Sequence, residues 1–189
     1  MLLIMLGLFS SAVHVALGAY TVPFWFCYFG PILAGIGLLI PRPSLIFVYV
    51  SVGLVFQTLF SFDLVRVYLS LPQFFGLVHH DPLIYPLTIR IADLLVHIAA
   101  LPLALVGSWM VRVPSWSSFV RTYLLALIAV GVVSFLIGDV NCVDSSCVPP
   151  DFGISFVRGD LLFAFSFTLP LVVFWALGGL RRMGGEPRE

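Results

Sequence analysis

The sequence contains no lysine; all nine of its basic residues are arginine. That absence removes every chemistry that needs a lysine amine. A retinal or pyridoxal Schiff base is excluded, and so is the lysine of a phosphate-binding loop. Charge is scarce in general, at 10 % of the 189 residues, against roughly 25 % in a soluble domain. Apolar residues make up 61 % of the chain and the mean hydropathy is +1.13. A water-soluble globular domain and a disordered chain are both excluded by these values. The net charge is zero and there is no basic tail, so nucleic acid is not a partner. The serine-hydrolase pattern G-x-S-x-G, the zinc-protease pattern H-E-x-x-H and the redox pair C-x-x-C are all missing.

What is present is a series of long apolar runs. A bilayer core of roughly 30 Å takes about 20 apolar residues per helix. Six stretches meet that length: 1–20, 22–40, 44–62, 86–111, 118–138 and 159–180. The expectation is an all-α, polytopic transmembrane bundle of six spans forming one integral-membrane domain over 1–189. Met1–Met5 carries no Arg or Lys, unlike the start of a secretory signal, so the first run reads as a span. Asp63–Tyr85 is apolar but broken by Arg66, Pro72, Gly76 and His79-His80-Asp81-Pro82. Its Leu64–Val78 portion reads as an interfacial or re-entrant segment between the third and fourth spans.

Arginine in short loops sets orientation. Arg42, Arg112, Arg121, Arg181, Arg182 and Arg188 fall on one side, and Arg66 and Arg158 on the other. This bias places both termini in the cytoplasm of a cell membrane, and an even number of spans requires the termini to share a side. Cys142 and Cys147 then lie in an outer loop, where oxidising conditions favour a disulfide between them.

Polar residues are sorted by depth. His14, Arg90 and Asp93 fall in the outer half of the membrane, with His97 nearer its middle. Arg90, Asp93 and His97 are spaced three and then four apart, which puts them on one helix face. A central Arg or Asp costs about 2.5–3.5 kcal/mol to insert, while an apolar side chain returns only about 0.3–0.6 kcal/mol. Such residues must neutralise one another, face the bundle interior or reach water. Arg90, Asp93 and His97 are therefore the candidate catalytic or exchanging groups. The alternative is that Arg90 and Asp93 pair and merely pin helix packing. His14 on the first span and His79, His80 and Asp81 in the loop above are candidate ligand-binding residues. The sequence names no cofactor, although nitrogen and carboxylate donors of this kind would suit zinc or iron.

Three functions fit this pattern. The first is an outward-facing intramembrane polar site that binds an ionisable solute, a proton or a lipid headgroup. The second is a membrane-embedded enzyme acting on a lipid-borne substrate at the outer leaflet, with His97 or His79 as general base, Asp93 orienting it or ligating a metal, and Arg90 clamping an anion. The third is an assembly subunit whose charges meet another chain. The expected partners are the lipid bilayer and either other membrane subunits or further copies of the same chain. Whether the protein is an enzyme is left open by the sequence.

Overall fold

The computed structural model describes residues 1–18, 26–74, 85–137 and 160–183. All regular structure among them is helical. Helix α1 (Leu2–Ala16) buries Leu3, Leu6, Gly7, Ser10 and His14. Steps of three and four put these residues on one stripe, and α2 (Phe26–Leu39) packs against it. Small residues set the closeness of that contact. A Cβ added at Gly7 would lie 2.6 Å from the backbone carbonyl oxygen of Tyr28, and one at Gly35 would lie 2.5 Å from the Ile4 side chain.

Helix α3 (Pro43–Gly53) opens on proline, whose missing N–H costs nothing in a first turn. Ile46, Phe47, Val48, Tyr49 and Val50 are all buried. A helix that is apolar all round belongs in the interior, and α3 indeed lies at the centre, against α2, α6 (Ala100–Trp109), α7 (Trp116–Ile137) and α8 (Asp160–Met183). Aromatic rings close this core: Phe119 of α7 stacks on Phe174 of α8 at 3.8 Å between centroids, and Phe47 meets Phe174 edge-on at 5.8 Å.

The third apolar run differs from its expected extent. It breaks at Leu54-Val55, bends by 47°, and continues as α4 (Phe56–Tyr68), past the expected end at position 62. Asp63 does not terminate the helix, because its carboxylate is satisfied inside the fold. It is 0 % exposed and accepts a hydrogen bond from the Phe74 N–H at 2.8 Å. The first part of the expected interfacial segment, 64–68, is therefore a continuation of α4. The helix stops two residues later in a reversed turn. Ser70 takes a left-handed conformation (φ 56°), the Leu71 N–H bonds the Arg66 carbonyl at 2.8 Å, and the Ser70 N–H bonds the Val67 carbonyl at 2.9 Å.

Helix α5 (Leu87–Leu94) runs through a π turn (Leu95–Ala99) into α6, making one rod of 23 residues. At about 1.5 Å per residue such a rod covers a bilayer core. Among the described residues it is the one single helix long and apolar enough to cross a membrane, and the bent pair α3–α4 passes the same test when joined. Each of the six apolar stretches read from the sequence contains a helix, but the apolar helices α1 and α2 are shorter, and so are the apolar parts of α7 and α8.

Candidate functional site

The site forms where α1, α2 and the α5–π turn meet. Ser10 of α1 donates its hydroxyl to the Ala92 carbonyl at 3.0 Å, which fixes α1 on α5. One turn further on, His14 Nδ1 lies 2.8 Å from the Ser10 carbonyl, and His14 Nε2 lies 3.2 Å from Asp93 Oδ1. Tyr28 of α2 donates its hydroxyl to the same Oδ1 at 2.5 Å. The side chains of His14 and Asp93 are only 8 % and 16 % exposed. Glycine is required nearby, because the Tyr28 backbone carbonyl sits where a side chain at position 7 would be.

These partners fix where protons lie. A carbonyl oxygen only accepts, so His14 Nδ1 carries a hydrogen. With Nδ1 occupied, a hydrogen bond between Nε2 and Oδ1 at 3.2 Å takes one proton between them. Either the imidazole is cationic and the carboxylate anionic, or both are neutral and the carboxyl donates. The pair is electrically neutral in both arrangements, with one proton between the two side chains.

His97 repeats the pattern of His14. Its Nδ1 lies 2.9 Å from the backbone carbonyl of Asp93, four residues earlier. That bond places the hydrogen on Nδ1 and leaves the lone pair on Nε2. The ring is buried between the edge of Tyr28, at 5.6 Å and 88°, and the face of Phe60, at 4.5 Å and 33°. Tyr28 also meets His14 edge-on at 5.1 Å, so it stands between the two imidazoles.

The π turn carries His97 and is held from outside the helix. Pro102 has no N–H, so the turn before it lacks a donor. Gln57 of α4 bonds the π turn from outside through Nε2, at 2.6 Å to the Val96 carbonyl and 3.1 Å to the His97 carbonyl. Ser61, four residues on, donates to the same His97 oxygen at 2.8 Å. Gln57 is aimed in turn by the Tyr49 hydroxyl, which donates to its Oε1 at 2.8 Å. A π turn is uncommon and recurs at functional positions. Here it swings the His97 ring toward Tyr28.

Of the residues read from the sequence, Asp93, His97 and His14 come together. Arg90 joins them on the helix but not in bonding: its Nε donates to the Tyr85 carbonyl at 2.8 Å. The alternative reading, an Arg90–Asp93 pair, is not formed: Asp93 Oδ1 meets His14 and Tyr28 instead. Asp93 also orients His97 through its backbone oxygen and not through its side chain. His79, His80 and Asp81 lie outside the described residues, as do Cys142 and Cys147. Among the described residues no group of three metal-ligating side chains converges, and Cys27 is a free thiol.

Tyr28, Ser10, Gln57 and Ser61 belong to the site and were not singled out by the sequence reading. Gln57 and Ser61 left a readable signal, being polar residues four apart in an apolar run. Tyr28 left none, since a tyrosine near a span end reads as an interface anchor.

No known family model matches the chain, and no curated protein or solved structure is significantly similar to it. The geometry must carry the functional reading.

Proposed function

We propose that this chain is a six-span membrane protein with both termini in the cytoplasm, whose Asp93 cluster lies in the outer half of the bilayer and binds a proton or an ionisable solute. The outward side chains support the membrane part. Val106, Leu125, Ile128, Val172 and Trp175 are all more than half exposed, and a belt of that kind needs an apolar solvent. An ionisable group inside a membrane is a functional candidate.

One observation carries the reading: His14 Nε2 stands 3.2 Å from Asp93 Oδ1 inside the bundle, a pairing that takes one proton. A site that must hold one proton to satisfy its bonds is a site from which that proton, or a cation in its place, can be exchanged. Tyr28 donates to the same carboxyl oxygen.

The test is an infrared pH titration of the full chain reconstituted in liposomes. A carboxyl band that titrates in the wild type and vanishes in Asp93→Asn is expected, with the variant still inserted and helical. An identical titration in both proteins would reject the assignment. Loss of assembly in Asp93→Asn would point instead to a subunit role.

The enzyme reading keeps one supporting observation, the fixed tautomer of His97 with its lone pair on Nε2. In that case His97→Ala abolishes turnover of a lipid substrate while the protein still inserts, and unchanged turnover removes His97 as the base.

A further inference from the structure

His14 holds two oxygens with one rigid ring. The Ser10 carbonyl lies 2.8 Å from Nδ1, and Asp93 Oδ1 lies 3.2 Å from Nε2. With one proton between the two side chains, both contacts are hydrogen bonds. Remove that proton and a neutral imidazole stands beside an anionic carboxylate. A neutral imidazole has a single N–H. If the hydrogen stays on Nδ1, the Nε2 lone pair faces the carboxylate. If it moves to Nε2, the Nδ1 lone pair faces the Ser10 carbonyl. Turning the ring to relieve the second clash also carries Nε2 off its place beside Asp93. In both tautomers the contact between α1 and α5 is weakened.

The rest of the seam does not depend on the proton. Four residues earlier, the Ser10 hydroxyl donates to the Ala92 carbonyl at 3.0 Å, and neither group titrates. At Gly7, α1 lies close against the backbone of α2. Beyond His14 nothing comparable holds the helix down. His14 is the last buried residue of α1, and Val15, Ala16, Leu17 and Gly18 are all exposed. Segments with few buried contacts are the ones that open locally. Loosening is therefore confined to the last turn of α1, past Ser10.

α1 packs against α2, α5, the π turn and α6. On α2, Tyr28 gives its hydroxyl to Asp93, and Cys27 is a free thiol. On α5, Arg90 Nε bonds the Tyr85 carbonyl. On the π turn, His97 Nδ1 bonds the Asp93 backbone carbonyl. Helix α6 carries no titratable side chain. Among the described residues none of these groups hydrogen-bonds His14, so the latch between the helices is His14 with Asp93.

We propose that the last turn of α1 is a proton-operated cover over the Asp93 cluster, shut while the His14–Asp93 pair holds its proton and lifted past Ser10 when the proton leaves. Raising the pH opens it, and the proton that binds closes the way behind itself. The inference rests on the proton exchange proposed above and adds how that site is gated.

The experiment measures the distance between nitroxides by electron paramagnetic resonance in the full chain in liposomes. The labels sit at Leu17→Cys and Leu87→Cys, both exposed positions at the ends of α1 and α5, in a chain carrying Cys27→Ala, Cys142→Ala and Cys147→Ala. A second, longer distance is expected, whose share rises with pH at the midpoint where the Asp93 carboxyl band titrates. His14→Gln cannot titrate and should give a distance that ignores pH, as should Asp93→Asn. If Asp93→Asn does not assemble, His14→Gln decides. A constant distance in the unsubstituted pair, while the carboxyl band still titrates, overturns the cover and leaves the proton site standing. A pH response that survives in His14→Gln moves the titration to Tyr28 or His97 and also overturns it. Absence of any carboxyl titration removes the proton site and the cover together.

Discussion

Asp93 Oδ1 meets two helices at once, with Tyr28 Oη at 2.5 Å and His14 Nε2 at 3.2 Å. One carboxylate oxygen thereby ties α1 and α2 to α5. The polar contact is both the candidate chemistry and a joint of the bundle, so variants at its corners must separate stability from function.

Tyr28→Phe removes the shorter of the two bonds and keeps the ring between His14 and His97. Intramembrane hydrogen bonds average about 0.6 kcal/mol, with the best near 1.7 kcal/mol. A loss of about 1–2 kcal/mol is expected, at the strong end because the acceptor is a carboxylate. Unfolding of the reconstituted protein by titrated denaturing detergent measures it. A change indistinguishable from zero would mean that the hydroxyl does not hold the carboxylate.

Gln57→Leu and Ser61→Ala should differ although both touch the π turn. Gln57 bonds the Val96 and His97 carbonyls and the Tyr49 hydroxyl, whereas Ser61 bonds the His97 carbonyl alone. Leaving a buried carbonyl without a partner costs about 1–3 kcal/mol. Gln57→Leu is therefore expected to destabilise by that amount and Ser61→Ala by less than about 1 kcal/mol. The same unfolding titration ranks the two, and the reverse order would contradict the assigned roles.

Gly7→Ala forces a methyl to within 2.6 Å of the Tyr28 carbonyl oxygen. Backbone cannot swing aside as a side chain can, so α1 and α2 must part. Overpacking of this kind costs about 1–3 kcal/mol. It also moves His14 away from Tyr28 and Asp93, so the titrating carboxyl band should shift together with stability. Gly18→Ala provides a contrast: its Cβ would meet nothing, although its φ of +89° still strains the backbone.

Ser70→Gly should stabilise the protein. Ser70 closes α4 in a left-handed conformation that costs a side-chain-bearing residue about 1–2 kcal/mol and glycine nothing. Part of that gain is returned as glycine's extra freedom in the unfolded chain, which leaves about 0.5–1 kcal/mol. A raised unfolding midpoint with unchanged helix content checks it.

Much of the helical layout was legible because apolar length is a strong signal. Each apolar run holds a helix, and the prolines at 43 and 86 stand where helices begin. The end of α4 was not legible. A buried Asp63 reads like a loop residue until its partner, the Phe74 N–H, is brought back by the turn at Ser70. The site was half legible. Steps of three and four showed that Arg90, Asp93 and His97 share a face, and depth placed His14 beside them. Pairing was hidden, because spacing along one helix cannot show that Tyr28 and His14 from other helices outcompete Arg90 for the carboxylate. The π turn was hidden as well. Pro102 signals a missing donor, but nothing in the sequence shows that Gln57 and Ser61 arrive from α4 to bond the Val96 and His97 carbonyls.

The most direct test of the shared proton is nitrogen-15 magnetic resonance of the full chain, labelled at histidine and assigned with His14→Gln and His97→Gln. Both histidines should show a protonated Nδ1. The His14 Nε2 should carry the shift of a hydrogen-bonded nitrogen, which changes on Asp93→Asn, while the His97 Nε2 should be unprotonated. A His14 ring with a bare Nδ1, or a His14 Nε2 signal indifferent to Asp93→Asn, would contradict it.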